Sequence, residues 1–244
     1  MKAEKEFRPW RLNWTPKHIE RFWDWWGGNS ALSKHYFSKR NGKAILDQIS
    51  HYVRFLGTVI DLGAGPGYIV DILINRGVKT LAVDTSAESL AVLERRMAGF
   101  SNFLGTKVSK IDAVPIDDDQ AAVVLLIETI EHLGKDALDG LLGEAYRITK
   151  RGGWIAVTTP NDEKLDELET MCPDCGCVYH YYQHMRSWSK TSLEQYMNAV
   201  GFNTVVCKPT LFSHHPYILQ PFHRLAYAVL GAKLPHLLYI GKKK

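Results

Sequence analysis

Asp61-Leu62-Gly63-Ala64-Gly65-Pro66-Gly67 sets three alternate glycines close behind an acid. Glycine has no Cβ and tolerates positive φ, so a ligand can approach such a backbone closely. The spacing is not the G-x-G-x-x-G of a dinucleotide loop: Tyr68 holds the third position of that pattern and the glycine falls one residue earlier. An acid beside a glycine loop suits a cationic ligand better than a phosphate. A second group reads Cys172-x2-Cys175-x4-His180-x3-His184. Thiolates and imidazoles at this spacing can close a tetrahedral zinc site of knuckle size. The Cys-Pro-x-Cys-Gly turn would free backbone N–H groups for the sulfurs. The same residues can equally be reduced cysteines in a loop beside pocket histidines. A third group, Glu128-x-x-Glu131-His132, follows an apolar run.

These residues need elements to position them, and the chain supplies a regular series. Val59-Ile60 is a strand leading into the glycine loop. Leu81-Ala82-Val83-Asp84 is a second strand ending in an acid, 23 positions after Asp61, which suits one βαβ unit. An acid at that strand end can accept both ribose hydroxyls of an adenosine. A third strand is expected near Lys107 to Ile111, ending at Asp112-Ala113. A polar turn at Ile116 to Gln120 leads into Ala121 to Ile127, an apolar run typical of a strand buried on both faces. A helix from about Asp136 to Thr149, the turn Lys150 to Gly153 and a strand from Trp154 to Thr158 follow. Farther on come a helix from Lys190 to Val200 ended by Gly201, a strand from Phe202 to Lys208, and a last strand from Leu237 to Ile240.

The loop Asp-x-Gly-x-Gly-x-Gly, with Asp84 and Asp112 at successive strand ends, resembles motif I and the following order of the class I S-adenosylmethionine (SAM) methyltransferases, over roughly residues 57–160 and again over 189–208. The resemblance implies an α/β fold: a seven-stranded Rossmann-like sheet, mostly parallel with an antiparallel C-terminal strand, and helices on both faces. It implies SAM as cofactor. Asp61, Gly63, Ala64, Gly65 and Gly67 would form its loop, and Asp84 with Thr85 would hold the ribose. Asp112 and Ala113 would meet the adenine, and Glu128 would border the cofactor. The E-x-x-E-H cluster is similar to that of the small-RNA 2′-O-methyltransferases and the ubiquinone-biosynthesis O-methyltransferases. There, two glutamates, the histidine and a later histidine hold a divalent ion; that later histidine precedes an aromatic residue and a helix, as in His184-Met185-Arg186-Ser187-Trp188. Glu-His-Leu also follows this strand in SAM enzymes without metal, where His132 would act as a base. The catalytic candidates are therefore Glu131, His132 and His184; the zinc candidates are Cys172, Cys175, His180 and His184. The two sets compete for His184, so zinc and a magnesium-type ion are alternatives.

Composition frames these readings. The chain has 244 residues, enough for one large α/β domain. Residues 1–56 are expected to form an N-terminal helical lid holding five of the seven tryptophans, with Thr15-Pro16 starting a helix and Gly27-Gly28-Asn29 ending it. A second lid helix is expected from about Lys43 to Arg54. The methyltransferase domain would fill 57–244, with insertions at about 160–188 and 209–232. The second insertion carries an apolar helix from about Ile218 to Leu230, which could roof an acceptor, dock a partner, or lie with the three C-terminal lysines on a membrane surface. A net charge of +4 lacks the strong clustered charge of a dedicated nucleic-acid binder. The N-terminus lacks a signal-peptide apolar core, which makes the cytoplasm the expected compartment. The expected reaction is methyl transfer to an oxygen, or less readily a nitrogen, of a small or lipid- or sugar-linked acceptor. RNA 2′-O-methylation and a non-catalytic SAM-fold scaffold subunit are the alternatives.

Overall fold

The structure is a computed structural model that describes residues 7–213 and 232–244. The expected helix from Ile218 to Leu230 lies outside the described residues. A short strand β1 (Trp10–Arg11) precedes helix α1 (Pro16–Gly28). Thr15 caps α1, its hydroxyl accepting from the His18 N–H at 3.3 Å, and Pro16 fills the first turn, where a missing N–H costs nothing. Helix α2 (Phe37–Ser50) starts six residues before the expected Lys43. Its inward face is Ile45, Leu46 and Ile49, and Phe37 packs on the same cluster, so the apolar stripe begins a turn and a half earlier than the charged Lys39-Arg40 stretch suggests.

The alternation of strand and helix then runs β2 (Val59–Leu62), α3 (Tyr68–Asn75), β3 (Thr80–Asp84), α4 (Ala87–Met97), β4 (Phe103–Val108), β5 (Ala121–Ile127), α5 (Lys135–Ile148) and β6 (Thr149–Pro160). After a small hairpin of β7 (Glu169–Met171) and β8 (Cys177–His180) come α6 (Lys190–Val200), β9 (Asn203–Thr210) and β10 (His236–Lys242). The large sheet has seven strands in the order β4-β3-β2-β5-β6-β10-β9. Only β10 runs against its neighbours, pairing antiparallel with both β6 and β9. Successive side chains on a strand point to opposite faces. On β5, Val124 and Leu126 face α5 and α6, while Val123, Leu125 and Ile127 face α2 and α3. One strand thus serves two cores, which is why its sequence is apolar throughout. β4 lies four residues ahead of the expected Lys107 to Ile111; it is an edge strand, half exposed, with no continuous apolar run to mark it.

The chain reverses direction across the sheet between β2 and β5, and α/β folds bind ligands beyond the carboxyl ends of strands at such a switch point. The glycine loop leaves β2 there, and Glu128 leaves β5 beside it. Over this edge sits a second sheet that the sequence did not announce: β1 pairs parallel with β8, and β8 pairs antiparallel with β7. The lid and the first insertion are therefore one unit. Of the three tail lysines Lys242 and Lys244 are exposed, while Lys243 is 9% exposed and its Nζ donates to Asp119 Oδ1 at 2.9 Å and to the Thr149 carbonyl at 2.8 Å. No helix among the described residues is long and apolar enough to cross a membrane.

Candidate active site

A cavity of about 850 Å³ opens at the switch point, at the large end of the range for ligand pockets. One wall is the glycine loop and the ends of β3 and β4: Gly63, Ala64, Gly65, Asp84, Thr85 and Ser109. Two glycines are imposed by crowding as well as by φ. Gly63 has φ 79°, and a Cβ there would stand 2.6 Å from Thr129 Cγ2; Gly67 has φ 82°, and a Cβ there would meet Leu93 Cδ1 at 2.2 Å. Asp84 braces the loop. Its Oδ2 accepts from the Gly65 N–H at 2.7 Å and its Oδ1 from the Ser86 N–H at 2.8 Å. Burial raises the Asp84 carboxyl above its usual range. Asp61 is 2% exposed behind this wall, and its carboxyl is pushed up to about 7, by burial first and by Asp84 second.

Asp112 and Ala113 do not take the expected place. Both are exposed and lie outside the lining, where Ser109 and Ile111 form the wall. The reason is local: β4 ends at Val108, and the chain turns back with the Ala113 N–H donating to the Lys110 carbonyl at 3.3 Å. Asp112 instead backs onto Gly140 of α5, where a Cβ would approach its own Cβ to 2.8 Å. The lid supplies the roof: Trp23, Trp26, Tyr36 and Phe37 all line the cavity.

The opposite wall is the acidic and histidine cluster. Glu128 ends β5 at φ 51°, a left-handed conformation rare outside glycine and held here by its N–H donating to the Thr158 carbonyl at 3.0 Å. Glu131 is 1% exposed; its Oε2 accepts from the Thr159 hydroxyl at 3.0 Å, while its Oε1, like Glu128 Oε1, is buried without a hydrogen-bond partner. Burial, and then the Glu128 charge, hold the Glu131 carboxyl well above the usual carboxylate range. His132 sits against Trp23 with ring centroids 4.8 Å apart and against His184 at 4.9 Å. Burial, and then His184, pull its imidazole well below the usual value, so it is neutral, and its Nδ1 has no partner. Donor atoms of Glu131, His132 and His184 all lie within 4.8 Å of one another.

The expected zinc set does not assemble. No group of three or more potential ligands among the described residues contains a cysteine. Cys172 and Cys175 sit in the turn between β7 and β8, where the Cys172 N–H donates to the Cys177 carbonyl at 2.9 Å. His180 is three residues beyond Cys177 at the other end of β8. An extended strand rises roughly 3.3 Å per residue, so the hairpin places the thiols and the imidazole about 10 Å apart. His184 lies within 4.8 Å of Glu131 and His132 on one side and of Glu163 and His180 on the other, with no thiol in either group. Backbone N–H groups of Cys175 and Asp174 do lower the Cys172 thiol, as the Cys-Pro-x-Cys-Gly turn implies.

Several site residues escape sequence reasoning. Glu163 Oε2 is 2.6 Å from His184 Nδ1. Gln183, fully buried at φ 62°, accepts from the Trp23 indole at 2.8 Å and donates to the His132 carbonyl at 2.9 Å, tying lid to cluster. His236 Nδ1 is 3.5 Å from Glu128 Oε2. None of these belongs to a spacing motif; Glu163 and His236 line the cavity from different segments of the chain, and Gln183 lies buried behind it.

The sheet order, the switch-point cavity and the acid-braced glycine loop define a Rossmann-like SAM methyltransferase fold. The methyltransferase domain family matches residues 30–207. The chain is 25% identical to the ubiquinone biosynthesis O-methyltransferase of Nitrosomonas europaea over 158 residues, which is 62% of this chain and 65% of that protein. It is 34% identical to the malonyl-[acyl-carrier protein] O-methyltransferase of Pectobacterium atrosepticum over 110 residues, 45% of this chain and 41% of that one. The matched regions thus span between about two fifths and just under two thirds of these relatives' lengths. Among solved structures, a chain of the Haloferax volcanii complex that contains the Trm112 methyltransferase activator superposes with a TM-score of 0.66 at 18% identity, covering 90% of this chain and 96% of its own. A SAM-dependent methyltransferase from Thermotoga maritima, described as a possible histamine N-methyltransferase, gives 0.63 at 17%, covering 93% and 100%. The chain belongs to the class I SAM-dependent methyltransferase family.

Proposed function

We propose that this protein transfers the methyl group of SAM to an oxygen of a small or lipid- or sugar-linked acceptor. One observation supports this above the others: a single cavity is lined on one side by the glycine loop with Asp84, and on the other by Glu131, His132 and His184. Gly63, Gly65 and Asp84 would hold SAM on the first wall, leaving the second for the acceptor. SAM would supply an already activated methyl group, lost to the acceptor oxygen as its carbon–sulfur bond breaks to leave the neutral thioether S-adenosylhomocysteine. The hydroxyl proton passes to the neutral imidazole of His132, whose Nε2 lies 3.9 Å from Glu131 Oε1. Because the sulfonium is already activated, the protein's task is alignment and exclusion of water, and the tryptophan roof serves both. Oxygen is favoured over nitrogen as the target because both curated relatives above are O-methyltransferases by name.

Glu131, His132 and His184, whose donor atoms lie within 4.8 Å of one another, also fit a divalent cation. Glu128 Oε1, Glu131 Oε1 and His132 Nδ1 are buried polar atoms without partners, and neutral imidazoles beside carboxylates are a normal donor set for such an ion. An ion such as magnesium held there would lower the pKa of the acceptor hydroxyl.

The test is calorimetric titration of SAM into the wild type and into Asp84→Ala. A hydrogen bond to a charged group is worth about 1.5–3 kcal/mol, so affinity should fall about ten- to hundredfold. Undiminished affinity in a variant that melts like the wild type would overturn the assignment.

A further inference from the structure

Glu163 lies in no motif, yet it stands between two histidines. Its Oε2 is 2.6 Å from His184 Nδ1, and its Oε1 is 3.8 Å from His180 Nε2. The donor atoms of Glu163, His180 and His184 lie within 4.8 Å of one another, so the trio has the dimensions of an ion site. The protons argue otherwise. His180 Nδ1 accepts two backbone N–H groups, from Tyr182 at 3.2 Å and from His184 at 3.1 Å. A ring nitrogen that accepts carries no proton, so a neutral His180 bears its proton on Nε2, the atom facing Glu163. An ion on Nε2 would need the lone pair there and would force the proton onto Nδ1, against two N–H donors. Nor is the ring free to turn: it is 5% exposed and stacked on His184, with centroids 4.5 Å apart and planes 18° apart.

Glu163 therefore accepts from His184 alone: His180 Nε2, 3.8 Å from the other carboxylate oxygen, is too far to donate and has no hydrogen-bond partner. By taking the Nδ1–H of His184, it leaves the lone pair of that ring on Nε2. We propose that Glu163 is a positioning residue that fixes His184 as the Nδ1–H tautomer so that its Nε2 lone pair serves the Glu131 and His132 cluster. The arrangement follows the general pattern in which a carboxylate behind a histidine sets the tautomer and ring orientation of a working imidazole. The proposal rests on the reading that this cluster works on the acceptor, but its direct readout does not.

Long-range proton–nitrogen NMR of protein labelled with nitrogen-15 histidine distinguishes the two neutral tautomers and the imidazolium, with His184→Asn and His180→Asn supplying assignments. At pH 7.5 the wild type should show His184 as Nδ1–H and His180 as Nε2–H. Glu163→Ala should move His184 to the Nε2–H form or a mixture, and Glu163→Gln, whose amide oxygen still accepts, should retain Nδ1–H. Calorimetric affinity for SAM should be the same in all three proteins. A wild-type His184 in the Nε2–H or imidazolium form would overturn the proposal, as would a His184 that ignores Glu163→Ala. If Glu163→Ala does not fold, the wild-type and Glu163→Gln spectra decide it. Loss of SAM binding in the wild type would instead remove the methyltransferase reading and leave the tautomer result standing.

Discussion

Asp61→Asn should make the ligand-free protein more stable, and only at higher pH. The Asp61 carboxyl is 2% exposed and is held up to about 7, against an ordinary value of 3.8, by burial and then by the neighbouring Asp84. Below about pH 4 the group is protonated in folded and unfolded chains alike, and its contribution to stability is fully present. Between about pH 4 and pH 7 the unfolded chain ionises while the folded one holds its proton, so stability is lost as pH rises. The gap between the two values, at 1.36 kcal/mol per pH unit, amounts to about 4 kcal/mol. Asparagine has the same shape and does not titrate. The variant should therefore exceed the wild type by about 2–4 kcal/mol at pH 8, the lower figure allowing for relaxation around the ionised group, and by about 1 kcal/mol at pH 4.5. Urea unfolding at both pH values reads this directly, and comparing variant with wild type cancels the other carboxylates. An equal gain at the two pH values, or no gain at pH 8, would refute the reasoning.

Gly67→Ala should cost about 2–5 kcal/mol in urea unfolding, because it combines φ 82° with a Cβ 2.2 Å from Leu93 Cδ1; a cost below about 0.5 kcal/mol would mean the loop can open without penalty. Manganese should bind the wild type in a calorimeter, at least about tenfold more weakly after Glu131→Gln, and with unchanged affinity after Cys172→Ser. Absence of binding to the wild type would remove the cation from the site, and a loss caused by Cys172→Ser would show that the hairpin thiols reach it after all.

The parts of this molecule that sequence reveals are those in which one local pattern has one physical cause. The run from Ala121 to Ile127 is apolar because both faces of β5 are covered, and Gly63, Gly65 and Gly67 are glycines that all hold positive φ. Helix α6 spans Lys190–Val200 as its apolar spacing and the stop at Gly201 require. Glu131, His132 and His184 were legible for a different reason, since their spacing is tied to chemistry. What stayed hidden depends on where distant segments meet. The histidines of the Cys/His run have knuckle spacing, but β8 is extended and carries His180 away from the thiols. Asp112 follows a strand end in the sequence, yet an early turn carries it off the wall. Glu163 and Gln183 matter only through partners 21 and 160 residues away in the chain, and no local pattern records such a meeting.

The small sheet joining lid to hairpin sets an order of assembly. Trp10 and Arg11 pair with Cys177 and Val178, and the Trp10 indole donates to the Cys175 carbonyl, 165 residues later in the chain. A growing polypeptide emerges N-terminus first, so β1 waits until the hairpin has been synthesised before its partner exists. Trp14 and Trp26 wait as well, since they pack against Tyr179 and Tyr181. Strands β2 to β6 can meet one another meanwhile, all of them being made before the hairpin. The roof of the cavity is thus made before the hairpin on which it seats, and Trp10, Trp14 and Trp26 lack these partners until the hairpin has been made.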